Sequence, residues 1–388
     1  MRHTAGLLLF LGAVSAFGPV SMDTYLPGLP ELGRDLGASA SQAQLTLTAC
    51  LVGLACGQLL AGPVSDARGR RGPLLVGLVL FVLASLGCAA APDIWTLTGA
   101  RLVQGAAGAV GIVIARAIVR DLYSGSELAR FLALVMLVNG VAPILAPVLG
   151  GLLLVVTDWR GIFVALAGFG AVLVVAAAFG FRETLPPEAR RTGGLAATGR
   201  VFRSLLAERE FVGYVLACGF AFAAMFAYIA GSPFVLQEIH GVSPQGFSAL
   251  FALNAGGIMA MGALSSRLVE RHGPARLLRA GLAIQLAGAA ALLAAVLADA
   301  GLWAVAISLF AVVASVGLVL PNATALALRG HPSTAGSASA LLGLAQFLFG
   351  AVAAPVVGVS GTGTAVPMAI VIACAAGAAG IAAYSTAA

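Results

Sequence analysis

The sequence predicts an all-α polytopic membrane protein with twelve transmembrane helices, and three observations lead to this prediction. The chain of 388 residues is 60% hydrophobic and only 9% charged, and its mean hydropathy of +1.03 is far above that of a soluble globular domain. Several runs of 18 residues carry no charge, which suits a helix that crosses a bilayer. The basic residues are all arginines, and most of them fall between these runs.

Apolar windows bounded by charge, Gly or Pro define the predicted spans. They lie near residues 5–27, 42–64, 73–92, 95–118, 129–155, 160–181, 210–233, 247–268, 276–298, 302–328, 335–358 and 364–386. The first run could be mistaken for a secretory signal, but it continues to Leu26 and is too long for one. We therefore interpret it as a retained helix.

The arginines predict the orientation of these spans. With the N-terminus inside, eighteen arginines fall in inside segments, Arg34 and Arg160 fall outside, and Arg101 lies within a span. Such a bias is the positive-inside pattern, and one missed or extra helix would invert every later loop. We expect a multi-pass protein of the inner, or cytoplasmic, membrane with both termini in the cytoplasm.

Several function classes are excluded by composition. Without lysine the chain has no Walker A loop, no pyridoxal Schiff base and no retinal linkage. The cysteines lack C-x-x-C spacing and the histidines lack an i, i+4 partner, so no metal site is expected. We expect no cofactor other than a proton gradient, no nucleic-acid partner and a monomer.

The longest polar segment divides the chain into two nearly equal parts. It predicts an N-terminal six-helix bundle over 1–181, a cytoplasmic linker over 182–209 and a C-terminal six-helix bundle over 210–388. An internal repeat agrees, because GPVSD at 62–66 recurs as GALSS at 262–266, and RRGP and RHGP follow at the same distance to within one residue. Copies on the same side of the membrane predict a parallel repeat about the membrane normal.

The loop GPVSDARGRR over residues 62–71 resembles the signature between helices 2 and 3 of the major facilitator superfamily. In that family the element is a gate latch on the cytoplasmic side. The resemblance implies gating roles for five residues: Gly62, Asp66, Gly69, Arg70 and Arg71. In the second copy Ser266 replaces the aspartate.

Four further stretches resemble the Bcr/CflA branch of drug:proton antiporters within this superfamily. They are MDTYLPGLP at 22–30, RLVQG at 101–105 with RAIVRD at 116–121, APILAPVLGG at 142–151 and RETLP at 182–186. In the resembling family the fifth helix is associated with exchange rather than leak. Pro143 and Pro147 remove two backbone donors, and Gly150 and Gly151 allow close approach, so we expect a bend or a sliding seam there.

Asp23 and Arg101 carry the chemistry that we predict. Both map to the outer half of the membrane, with Arg101 roughly 10 Å deep at 1.5 Å per residue, so they could meet in one polar cavity. Burial favours a neutral carboxyl group and a neighbouring guanidinium favours its charged form, as a proton-coupling site requires. In the alternative interpretation Asp23 lies at headgroup level and Arg101 snorkels to it.

Candidate substrate contacts are aromatic residues, methionines and mid-span amides, which suit a wide pocket for weakly polar organic molecules. They are Phe17, Tyr25, Met136 and Asn139 in the first half and Met225, Tyr228, Asn254, Asn322 and Gln346 in the second. The amides are the better candidates, because an amide in mid-span has to find a partner or line a wet cavity.

These observations predict a secondary transporter that exports amphiphilic drugs or metabolites in exchange for protons by alternating access of two bundles. One alternative is a proton-coupled uptake permease for a sugar, an acid or another small metabolite. A second is an intramembrane enzyme or lipid transferase, but the sequence presents no cluster of nucleophile, base or metal ligands for it. We therefore expect a transporter and not an enzyme.

Overall fold

The structure is a computed structural model that describes residues 2–123, 125–190, 202–331, 334–359, 361 and 363–384. Within these ranges the chain forms helices joined by short loops, without a strand. Ten of the described helices are long and apolar enough to cross a membrane. The first and fifth predicted spans are also helical, and the prediction of an all-α polytopic fold is confirmed.

Fourteen α-helices of the described residues are numbered in chain order. They are α1 (Arg2–Ser15), α2 (Phe17–Asp23), α3 (Leu29–Asp35), α4 (Ala40–Arg68), α5 (Arg71–Ala89), α6 (Ile94–Leu122), α7 (Gly125–Leu153), α8 (Trp159–Gly180), α9 (Arg209–Phe234), α10 (Pro244–His272), α11 (Pro274–Leu297), α12 (Gly301–Leu328), α13 (Ala335–Val357) and α14 (Val366–Tyr384).

The first predicted span, 5–27, is not one continuous helix. α1 ends at Ser15 and α2 begins at Phe17, a break that fits Pro19, whose ring leaves no N–H for the carbonyl four residues earlier. α2 ends at Asp23, and a 3-10 turn over Leu26–Gly28 follows. Asp23 therefore lies at the end of a short helix next to irregular backbone.

The fifth predicted span behaves differently, because α7 continues through both of its prolines. Pro143 and Pro147 lie inside this helix, although neither can donate a backbone hydrogen bond. In the part of α7 that the structure describes, residues Val141–Leu153 form an apolar helix. The two prolines and the glycines that follow them thus lie on one helical segment.

The chain forms two compact units. The first comprises residues 1–36 and 49–193, and the second comprises residues 37–48 and 194–388. In the first unit α5 packs against α6 and α8, and α7 packs against α1 and α2. In the second unit α9 packs against α13 and α14, and α12 packs against α10 and α11.

Glycines bring α4 against α6 in the first unit and α10 against α12 in the second. A Cβ atom at Gly53 would lie 2.1 Å from the carbonyl oxygen of Leu102, and one at Gly317 would lie 2.2 Å from that of Ile258. Small residues permit such close backbone approach between membrane helices. These helices are the second and fourth predicted spans of each half, so corresponding spans make the same kind of contact.

The first turns of α4 belong to the second unit, and three polar side chains on one face hold them there. Each donates a hydrogen bond to a backbone carbonyl: Ser41 Oγ to Pro355 at 3.1 Å, Gln44 Nε2 to Ala230 at 3.0 Å and Thr48 Oγ1 to Ala351 at 2.9 Å. Helical spacing places these donors on one side of the helix.

Candidate functional site

Asp23 is buried at the end of α2, with 7% of its surface exposed. The hydroxyl groups beside it are used within the same segment. Ser21 Oγ donates to the carbonyl of Gly18 at 3.0 Å, and Thr24 Oγ1 donates to that of Val20 at 2.6 Å. Asp23 is the ionisable residue of α2, and these local hydrogen bonds leave its carboxyl group available to other elements.

Arg101 on α6 is fully buried, so its guanidinium does not reach the surface of the protein. Its Nη1 donates to the backbone carbonyl of Ser21 at 2.9 Å and to Oε1 of Gln104. The guanidinium carbon lies 4.3 Å from the centre of the Tyr25 ring and 5.7 Å from that of Phe163. Cation–π contacts of this kind are strongest when desolvated.

Arg101 therefore contacts residues on either side of Asp23 along the chain, because Ser21 precedes Asp23 by two residues and Tyr25 follows it by two. Asp23 interacts electrostatically with Arg101, yet no ion pair joins them among the described residues. Nε and Nη2 of Arg101 have no hydrogen-bond partner within that same part of the chain. A buried cationic edge of this shape is suited to a carboxylate.

Gln104 and Ser85 extend this arrangement into α5. Gln104 Nε2 donates to Ser85 Oγ at 2.7 Å, and Ser85 Oγ donates to the carbonyl of Phe81 at 2.7 Å. In the sequence Gln104 stands out only as part of the motif RLVQG, and Ser85 was not predicted as a site residue. Gln104 follows Arg101 by three residues, which puts both on the same helix face. This spacing is the sequence signal that could have predicted Gln104 as a site residue.

Helix α7 touches the residue that follows Asp23. A Cβ atom at Gly150 would lie 1.8 Å from the carbonyl oxygen of Thr24. Pro147 and Gly151 are buried, whereas Pro143 is half-buried. Gly150 is thus in direct backbone contact with the Asp23 segment.

The predicted gating loop is an ion-pair network around Arg70, which is buried. Arg70 Nε pairs with Asp121 at 2.8 Å, and Nη1 contacts both Asp66 and Ser65 Oγ. Asp66 is half exposed, and Gly69 has a φ of +93°, a backbone conformation that favours glycine. Arg70 therefore joins the end of α4 to the end of α6.

Glu183, which follows α8, binds the backbone of the same loop. Its carboxylate accepts backbone N–H groups of Arg70 at 2.8 Å and Arg71 at 3.1 Å, and those of Thr184 and Leu185 at 3.0 Å each. Partial burial raises the pKa of Glu183, but these N–H groups outweigh it and hold the pKa below its ordinary value of 4.5. Arg71 Nη2 also donates to the carbonyl of Ala178 at 2.8 Å, and Gly62 is half-buried.

Two of the first-half substrate candidates, Phe17 and Tyr25, lie in the core of the first unit. Phe17 is fully buried and stacks on Phe81 at 4.1 Å between ring centres. The guanidinium of Arg101 lies over the ring of Tyr25. The side chains of Met136 and Asn139 lie outside the described residues.

The second-half amides form paired contacts within their unit. Asn254 Nδ2 donates to Tyr228 Oη at 2.7 Å, and both residues are buried. Asn322 Nδ2 donates to Ser265 Oγ at 2.7 Å. Ser265, the counterpart of Ser65 in the second signature copy, is thus bound to α12. Met225 and Gln346 are half-buried.

No group of three or more His, Cys, Asp or Glu side chains could hold a metal ion in the part of the chain that the structure describes. The five cysteines are free. Cys50 and Cys88 are buried in the first unit and Cys218 in the second.

The family model of the Major Facilitator Superfamily matches residues 9–355. The chain belongs to this superfamily. Members are transporters rather than enzymes, as the sequence resemblance implied, and the helices described above are those of a major facilitator. The prediction of the family is confirmed.

Similarity to known proteins indicates which members of the superfamily this chain resembles. An uncharacterized MFS-type transporter, YdgK of Bacillus subtilis (strain 168), is 44% identical over 369 residues, 95% of this chain and 92% of that protein. A bicyclomycin resistance protein homolog of Haemophilus influenzae is 33% identical over 367 residues, with the same coverage of 95% and 92%. The crystal structure of a D-xylose-proton symporter has a TM-score of 0.77 at 16% identity, over 99% of this chain and 97% of that chain, which shows the fold alone. The chain is therefore a multi-pass MFS transporter with antibiotic-resistance relatives.

Proposed function

We propose that this transporter exports amphiphilic organic compounds in exchange for protons, with Asp23 as the proton-binding group and Arg101 as the group that tunes it. The observation that supports the proposal most is the position of Arg101. It is fully buried and contacts Ser21 and Tyr25, the residues two positions before and two positions after Asp23.

This geometry links the protonation state of Asp23 to small movements of α2 against α6. A buried carboxylate needs a nearby cation and hydrogen-bond donors, whereas a neutral carboxylic acid does not. When the segment around Asp23 closes on Arg101, the charged form is stabilised and the proton leaves. When the segment moves away, desolvation favours protonation.

Two further elements have proposed mechanical roles. The loop around Arg70 and Asp66 latches the inner gate. The ion pairs of Arg70 with α4 and α6 support this role. α7, with Pro143 and Pro147, keeps proton and substrate movements linked, supported by the contact of Gly150 with Thr24. The two halves, 1–181 and 210–388 with the linker 182–209, provide alternating access in a monomer of the inner membrane whose termini are cytoplasmic.

The substrate is proposed to contact half-buried side chains rather than the closed core. Met225 and Gln346 are partly accessible on α9 and α13, and a thioether with an amide suits weakly polar drugs. Asn254 already donates a hydrogen bond to Tyr228, and Asn322 donates one to Ser265. We propose that these two pairs shape the site and that Met225 and Gln346 touch the substrate.

A resistance assay tests the role of Asp23. We express the wild type and Asp23→Asn in a host without major drug pumps and measure growth against a panel that includes bicyclomycin and a phenicol. The wild type is expected to confer resistance to at least one compound and the variant to lose it at equal expression. Asp35→Asn is the matched control, because Asp35 is half exposed and pairs with Arg160 at 3.2 Å. A protective Asp23→Asn variant would refute the assignment.

A vesicle assay separates export from uptake. In proteoliposomes with a pH-sensitive dye, substrate added to the wild type is expected to drive proton movement in the opposite direction. Co-movement of proton and substrate would support the uptake permease instead. Substrate transport that ignores an imposed pH gradient would refute proton coupling altogether.

A further inference from the structure

We infer that Gln104, itself held by Ser85, is a positioning residue that presents the free Nε–Nη2 edge of Arg101 as the docking edge for the charged form of Asp23. The inference rests on the proposed function and assigns roles to two residues outside it. All of its contacts lie in the first unit.

The two N–H groups of Arg101 Nη1 are both used. One donates to the carbonyl of Ser21 at 2.9 Å and the other to Oε1 of Gln104. A guanidinium is planar and carries five N–H groups in a rigid fork, so the other three belong to Nε and Nη2, which have no partner among the described residues. Because the group is flat, holding Nη1 and covering one face with Tyr25 fixes the direction of the free edge.

Ser85 determines which way the amide of Gln104 points. The hydroxyl hydrogen of Ser85 is donated to the carbonyl of Phe81 at 2.7 Å, so Ser85 Oγ can only accept from Gln104. The amide NH2 must therefore face Ser85, at 2.7 Å, and the amide oxygen must face Arg101. Gln104, Ser85 and Arg101 are each fully buried, so water does not compete for these donors and acceptors.

The free edge has the shape that a carboxylate binds side-on with two hydrogen bonds. Asp23 is the acidic group that interacts electrostatically with Arg101, and Arg101 already donates a hydrogen bond to the backbone carbonyl two residues before it. An unpaired buried charge is costly, so closing the edge on Asp23 favours release of its proton. Without Gln104 the fork would turn, and the charged form of Asp23 would lose its partner.

The test is the pH profile of proton-coupled transport in proteoliposomes, measured with the substrate found in the resistance panel. Gln104→Glu gives Arg101 a permanent carboxylate that competes with Asp23, so the midpoint of the profile should move to higher pH by about one unit or more. Ser85→Ala should move it in the same direction by less. Ser85→Thr restores the hydroxyl group and should return the midpoint to that of the wild type.

Gln285→Glu is the matched control. Gln285 is a fully buried glutamine on α11 in the second unit, where its Nε2 donates to the carbonyl of Ala221 at 3.5 Å. A glutamate there is equally buried but belongs to the unit without Arg101. It should leave the midpoint unchanged, whatever it does to the amount of folded protein.

The outcomes separate the inference from the proposed function. If Gln104→Glu and Ser85→Ala lower the transport rate but keep the wild-type midpoint, the two residues are merely structural and the inference is wrong. If Gln104→Glu does not fold, the comparison of Ser85→Ala with Ser85→Thr decides by the same criterion. If the wild type shows no proton-coupled transport, the proposed function itself fails.

Discussion

The carbonyl oxygen of Thr24 lies directly against the backbone of Gly150, because a Cβ atom built on Gly150 would be 1.8 Å from that oxygen. Thr24 follows Asp23 at the end of α2, and Gly150 lies on α7 one turn after Pro147. The segment that carries the acid and the helix that carries the two prolines thus share one contact surface. A displacement of either one must displace the other.

Gly150→Ala is expected to abolish or strongly reduce transport. The added methyl group cannot occupy the space of the Thr24 carbonyl, so α7 and the Asp23 segment must separate. Resistance and proton-coupled transport should both fall, while the amount of protein in the membrane is followed by quantitative blotting.

The control for this change is Gly168→Ala on α8 in the same unit. Nothing lies within 4 Å of a Cβ atom at Gly168, and alanine in a helix interior is more stable than glycine by roughly 0.5–1 kcal/mol. Gly168→Ala should transport like the wild type. Equal activity of the two variants would show that the close contact at Gly150 has no functional weight.

Arg101→Lys should uncouple the transporter although it keeps the positive charge. A lysine ammonium lacks the planar fork that reaches the Ser21 carbonyl and Gln104 together. Losing one charge-assisted hydrogen bond costs roughly 1.5–3 kcal/mol, so we expect at least about a tenfold fall in proton-coupled transport. Arg160→Lys is the control, since Arg160 is partly exposed; a fully coupled Arg101→Lys protein would contradict the role of the fork.

Gly69→Ala should loosen the predicted inner latch. The residue has a φ of +93°, and a Cβ atom there would lie 2.5 Å from Glu183 Oε2, so the loop and Glu183 have to separate. We expect slower transport and a lower melting temperature in detergent. Gly72→Ala, three residues along the chain with nothing within 4 Å, should change neither quantity, and similar behaviour of both variants would argue against the latch.

Glu183→Gln should destabilise the protein at neutral pH and lose this effect in acid. The pKa of Glu183 lies below its ordinary value of 4.5, so its charged form contributes stability above pH 4.5 that disappears as the pH falls through the lowered pKa. Melting temperatures of the wild type and the variant should therefore converge below pH 4.5. A constant difference across the titration would mean that the charge of Glu183 is irrelevant to the loop.

Much of the architecture was predictable from local properties of the chain. Hydropathy and length determine which segments can cross a bilayer, and the arginines mark the loops, so the helical spans followed from the sequence, while the family was implied by the resemblance of its motifs. The motif around Arg70 and the fifth-helix prolines were located by their resemblance to motifs of the superfamily. Their positions in the structure agree with the predicted elements, while their functional roles stay predictions.

The sequence by itself determined the membrane class, the helix content and the acid at Asp23, because each depends on residues that are neighbours along the chain. Tertiary structure alone decided the contacts of Arg101 with Ser21 and Tyr25 and the hydrogen bonds that run from Arg101 through Gln104 to Ser85. Those features depend on how each helix is rotated about its own axis and how closely it approaches the next. Hydropathy does not encode either quantity, since an apolar helix is compatible with many rotations in lipid.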